Sequence, residues 1–179
     1  TSTAPAAAVA ALLAVPTAAR STGKPRWAAA LVTSRHAAGL AALRDGQAGA
    51  ALELLDDAAG DADGEVAVAI RCDAALAAVA TGDRDRAAAR LKAIAKLRCP
   101  FPAPADTQAV PILTAFVDGL NPRRAGKAVD RLAALAKSAT GVSKALAGSA
   151  LRVVAMSAAD QAYRAGKLDQ ARKHLATAR

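Results

Sequence analysis

Apolar and polar positions follow one another along this chain with a helical period, and glycines punctuate them. Three stretches repeat one pattern: Gly46, Ala51 and Leu55; Gly82, Ala87 and Leu91; Gly166, Ala171 and Leu175. In each, a Gly is followed five residues on by an Ala and four further by a Leu. One helix ends, another begins, and its small residue and Leu share a face. The same period, read with its breakers, predicts helices at 5–14, 26–45, 48–59, 65–80, 84–98, 107–119, 122–138, 142–164 and 168–178. Pro16 to Pro25, with Ser21, Thr22 and Gly23 inside, reads as a loop, and the three prolines of Cys99–Pro104 bar any helix there.

The Gly markers lie 36 and 84 residues apart, and the longer interval is about twice a helical-hairpin period. A degenerate hairpin is therefore expected at 107–138: a helix to Gly119, a turn at Leu120–Arg123, and a second helix bearing Ala128, Leu132 and Leu135. The predicted organisation is an N-terminal helix and loop over 1–25, then hairpins at approximately 33–64, 65–99, 107–138 and 142–179. Composition agrees with an all-α chain. Ala supplies 55 of 179 residues and aromatics only 2%, whereas strands draw on β-branched and aromatic side chains. Heavy Ala and Arg usage also fits a GC-rich bacterial genome. The apolar run Ala4–Val15 is too short and too Ala-rich to span a bilayer, and no basic residues precede it as in a signal peptide. It reads as a packed first helix, and no transmembrane segment is expected.

Small residues recur where paired helices would cross: Ala38, Gly39 and Ala42 with Ala51, Leu55 and Ala58; Ala74, Ala75 and Ala78 with Ala87, Leu91 and Ile94; Ala158, Ala159 and Ala162 with Ala171, Leu175 and Ala178. This pattern resembles tetratricopeptide repeats over about residues 33–179. The resemblance implies a right-handed α-solenoid of antiparallel helix pairs that acts as a non-catalytic scaffold or adaptor for protein partners, within a larger assembly if it has several. Arg35, Arg71 and Ala155 stand where the family has a large residue, Ala42, Ala78 and Ala162 where it has an aromatic, and the spacing of 36 to 42 exceeds its 34. Another helical-hairpin array, or a non-repeating bundle, has the same local physics. In the tetratricopeptide register the first helices line an inner face with Leu40, Leu43, Leu76, Val79, Leu113, Val117 and Tyr163, and the family's Lys and Asn clamp for a terminal carboxylate is missing. Such an aliphatic groove suits an amphipathic helix laid in by its apolar face, or is covered by the chain itself.

In the same register Cys72 lies near the start of one helix and Cys99 at the end of its partner, so antiparallel pairing brings them together. A disulfide there would point to an extracytoplasmic, periplasmic or secreted protein; two separate buried thiols are the alternative.

Candidate chemistry is sparse. His36 and His174 lie far apart, with no ligand cluster at metal spacing and no nucleophile partner, so neither catalysis, a metal site nor a cofactor is expected. Asp56, Asp57, Asp61, Asp63 and Glu65 bunch at one connection, where acids favour the start of the next helix. They lack the glycine and ligand spacing of a calcium loop. Net charge is +9, and Arg123, Arg124, Lys127 and Arg131 form a basic patch on one predicted helix, continued by Lys137. This patch supports an alternative, a nucleic-acid- or anion-binding helical domain. Its weakness for nucleic acid is that Trp27, Phe101, Phe116 and Tyr163 are too dispersed to stack bases. A further alternative is an accessory domain of a larger protein.

Overall fold

The computed structural model describes residues 4–15, 24–97, 99 and 108–178. Residues 16–23 of the loop predicted at 16–25, together with Arg98 and 100–107, which include Phe101 and the prolines of the second break, lie outside the described residues, and Lys24 and Pro25 belong to the helix that follows. Among those described, the protein is all-α with no strand. Its helices are α1 (Ala4–Leu13), α2 (Lys24–Arg44), α3 (Ala48–Asp61), α4 (Gly64–Ala80), α5 (Arg84–Ile94), α6 (Ala109–Gly119), α7 (Ala125–Ser138), α8 (Gly141–Arg164) and α9 (Leu168–Thr177).

Two boundaries depart from the periodic reading. Helix α7 starts three residues later than expected, because Asn121 closes a turn over Pro122. The Asn121 Oδ1 accepts from the Arg123 N–H at 3.0 Å and its carbonyl from the Arg124 N–H at 2.9 Å. Helix α5 stops at Ile94, where the chain tightens into i to i−3 bonds, Ala95 to Lys92 and Leu97 to Ile94.

The marker glycines end helices by one device. Gly46, Gly82 and Gly166 have φ of 77°, 76° and 73°. After Gly46 the Gln47 N–H donates to the Ala42 carbonyl at 2.8 Å, and after Gly166 the Lys167 N–H donates to the Ala162 carbonyl at 2.9 Å. With the Gly46 to Leu43 and Gly166 to Tyr163 bonds, each is a Schellman motif that satisfies orphan helix carbonyls. Gly166→Ala is expected to lose about 1 to 2 kcal/mol, since a Cβ opposes a left-handed residue. Gly49→Ala, inside α3 with open space around it, is expected to gain about 0.5 to 1 kcal/mol. Urea denaturation of both variants checks the pair; equal changes would contradict the assignment.

The chain divides into two compact units, residues 1–83 and 84–179. In the first, α2 packs on α1 and α3, α3 packs on α4, and α2 touches α4. The Trp27 indole donates to the Leu12 carbonyl at 2.9 Å, holding α1 against α2, where Val9, Leu31 and Ala38 are buried together. Gly39 lets α2 and α3 approach: a Cβ there would lie 2.7 Å from Leu55 Cγ.

In the second unit α5 packs on α6, α6 on α7 and α8, and α7 on α8. Helix α9 packs on α8 and touches α7. The core joins Ile112, Ala115, Val129, Leu132, Ala147 and Val154. A Cβ on Gly119 would fall 2.5 Å from Val154 Cγ1, so α6 and α8 meet at this glycine. The 24-residue α8 is long and apolar enough to cross a membrane by length and composition, with a mean hydropathy of 1.2 over its best window, of which 39% is buried. It buries one side only. Ser143, Ala147, Ala150, Val154, Ala158 and Ala162 face the unit's core, while Val142, Val153, Met156 and Tyr163 stand exposed on the other side.

Candidate functional site

Charge is distributed very differently between the units. Residues 1–83 hold 6 Lys/Arg against 9 Asp/Glu, a net −3; residues 84–179 hold 18 against 6, a net +12. In the first unit the bunched acids face a partner. Arg35 on α2 bonds Asp61 and lies 3.9 Å from Asp57, both on α3. Asp63 holds the N-cap position of α4 and Glu65 stands in its first turn, so acids do gather at the start of this helix, although Asp63 makes no side-chain cap bond. His36 is half-buried and bridges α2 to α4 through Asp73, Nε2 to Oδ2 at 2.7 Å.

In the second unit the predicted basic patch separates into two pairs. Arg124 and Arg131 turn toward Asp118 at the end of α6, at 3.0 and 3.8 Å, and are partly neutralised. Arg123 and Lys127 turn the other way, into a cleft of about 670 Å³ bounded by the first turn of α7, the last turn of α8 and by α9. There they meet Lys167 and Lys173. None of these four cations has an ionic partner within 4 Å among the described residues, although Asp130 also lines the cleft. The floor is apolar, made by Ala125, Ala158 and Ala162.

His174 lines the same cleft at 8% exposure, with no hydrogen bond or ion pair to its ring among the described residues. It takes a place the repeating pattern reserved for Leu175. The Ala and Leu of the first two markers are buried to 1% exposure or less, and Ala171 follows them, but Leu175 is 50% exposed. In α9 the buried pair is Ala171 and His174 instead.

Comparison with family models, curated proteins and solved structures finds no match. The residues alone therefore carry the functional reading.

The seven predicted inner-face residues divide between the units. Leu40 and Leu43 on α2, and Leu76 and Val79 on α4, are half-buried in the first. Leu113 and Val117 belong to the second, where both are buried, and Val117 also borders a small cleft between α5 and α6. Tyr163 is 67% exposed and continues the α8 row through Val153 and Met156. Lys167, Lys173 and the Val153–Met156 pair escaped the sequence reading. Their signal was present: Val142, Val153, Met156 and Tyr163 recur at helical spacing on one face of a segment whose opposite face is almost entirely Ala.

Cys72 and Cys99 form a disulfide, and no cysteine is free. Cys72 is 1% exposed on α4. Among the described residues no group of three or more His, Cys, Asp or Glu is placed to hold a metal ion.

Proposed function

We propose that this chain is a non-catalytic binding module, a tetratricopeptide-like array of helical hairpins that takes up a protein partner through the exposed face of α8. The observation that carries this reading is the row Val142, Val153, Met156 and Tyr163. These are large apolar side chains held in water along one side of a helix whose other side is locked into a core. Scattered exposed apolar residues are ordinary, whereas a row with helical spacing is the shape that an amphipathic helix fits. Arg152 flanks the row and Arg164, paired with Asp160 of the same helix at 2.9 Å, closes its end, inside a unit of net charge +12, so the favoured occupant is an amphipathic helix with acidic flanks. Tyr and Met are suited to such a contact, Tyr as a rigid anchor with a polar tip and Met as an adaptable filler. The Cys72–Cys99 disulfide supports an oxidising, extracytoplasmic setting.

Selection of a displayed peptide library on the immobilised chain tests the proposal. Enriched peptides are expected to read as acidic amphipathic helices. Their affinity is expected to fall at least about tenfold with Met156→Asp, with unchanged thermal unfolding because Met156 is 57% exposed. Enrichment of nothing, or of peptides indifferent to Met156, contradicts it.

The +12 charge of residues 84–179 favours a second reading, nucleic-acid binding. That reading requires affinity for single- or double-stranded DNA that falls steeply with salt, in proportion to the phosphates contacted. Absence of binding at low salt removes it.

A further inference from the structure

We propose that the cleft between α7, α8 and α9 binds a small anion carrying two linked phosphates, gripped by Arg123, Lys127, Lys167 and Lys173 around the buried ring of His174. This site is independent of the exposed α8 row. The cleft uses Ala158, Gln161 and Ala162 of α8, whereas the row uses Val153, Met156 and Tyr163.

Four features converge. The first is unneutralised charge: four cations face one carboxylate, Asp130, and none of the four is paired among the described residues. Like charges gathered without partners raise the free energy of the empty cleft, which an anion lowers. The second is that two helices start at the cleft without side-chain caps. Neither Arg124 before α7 nor Lys167 before α9 makes a side-chain cap bond; the first turn of α7 holds no acidic residue, so its N–H groups and positive pole are open to an anion, whereas Asp169 already sits in the first turn of α9. The end of α8 opposes this with its negative pole, and the four cations outweigh it.

The third is His174. The side chain is nine-tenths buried, and its ring has no protein partner among the described residues and borders the cleft, where its nitrogens are open to a ligand. A phosphate oxygen can accept from its N–H. Gln170 adds an amide donor at the rim, and Gln161, whose amide already donates to the Ser157 hydroxyl, lines it. The fourth is size. A volume of about 670 Å³ falls in the range of small-molecule clefts, roughly 300 to 1,000 Å³, and admits a small anion with its hydration water. Two linked phosphates, rather than one, match the surplus of positive charge. Arg123 supplies the fork that suits phosphate oxygens bidentately, and the lysines supply point charges. A nucleic-acid strand is disfavoured, because no aromatic side chain lines the cleft to stack a base.

Calorimetric titration of the intact chain with inorganic pyrophosphate at low salt tests the site. Orthophosphate, a short single-stranded oligonucleotide and an oligo-glutamate peptide serve as parallel titrants. Saturable one-to-one binding of pyrophosphate is expected, at least about tenfold tighter than orthophosphate. The double variant Lys127→Ala, Lys173→Ala is expected to weaken it at least about tenfold with its far-ultraviolet spectrum unchanged, both side chains being exposed. The double variant Arg124→Ala, Arg131→Ala removes the same charge from the Asp118 side and is expected to change affinity by less than about twofold. In the unmodified protein the His174 ring resonances are expected to move in step with the calorimetric saturation. An absence of saturable heat with pyrophosphate would overturn the proposal. Equal losses in the two double variants, or binding of only the oligonucleotide or the oligo-glutamate, would overturn it as well. Each of these results leaves the α8 docking row to be judged on its own variant.

Discussion

Leu132→Ala is expected to destabilise the protein by about 3 to 5 kcal/mol, the upper part of the range for a buried Leu. Leu132 is fully buried, and its cluster includes Ala115, Ala125, Ala128, Ala147, Ala150, Ala155 and Ala158. Ala has no side-chain torsion with which to fill a void, and helices separated by Ala are already close to backbone contact. The cavity left by Leu132 therefore persists, and cost rises with the volume that persists. Leu132→Met, which keeps the volume, is expected to cost less than about 1.5 kcal/mol. Denaturation in guanidinium followed by circular dichroism checks both. A Leu132→Ala loss below about 1 kcal/mol would mean that this core is loosely packed or collapsible.

Breaking the Cys72–Cys99 disulfide is the second large effect. The bond closes a segment of about 27 residues, and the loop-entropy estimate for that length is about 3 to 4 kcal/mol. Reduction, or the double variant Cys72→Ala, Cys99→Ala, is expected to lower stability by that order. The cost at Cys72 is increased slightly by the packing lost at a position 1% exposed. Cys99→Ala alone leaves a buried free thiol and isolates the cross-link term. If unfolding midpoints with and without reductant coincide, the bond contributes nothing to native stability.

Helix positions were legible because their determinants are local. Ala and Leu at helical spacing define each helix, and Gly46, Gly82 and Gly166 stop three of them with a left-handed residue that only Gly adopts without strain. The start of α7 was misplaced because an Asn side chain, and not the apolar period, decides where its first turn forms. The site was less legible, since its geometry depends on neighbouring helices. Arg123, Arg124, Lys127 and Arg131 read as one patch in sequence. Asp118, on another helix, draws Arg124 and Arg131 to one side, while Lys167 and Lys173 meet the other two in a cleft.

The same limit applies to the inner-face residues. Leu113 and Val117 fall on the inner face in the tetratricopeptide register, but α6 is apolar on nearly every side. Six of its eleven residues are buried, among them Leu113 and Val117. Asp at Val117 is accordingly expected to damage folding before it reports on any partner. In sequence His174 shows no ligand cluster and no nucleophile partner, and in the structure it is buried. Only its missing partner distinguishes it, and partners are visible only in three dimensions.

The central claim is that a protein ligand docks on the exposed side of α8. Amide hydrogen exchange of the intact chain, with and without a selected acidic amphipathic peptide, tests it most directly. Protection is predicted to concentrate between Val142 and Arg164 and to vanish with Met156→Asp. Protection confined to residues 1–83, or none at saturating peptide, would contradict it.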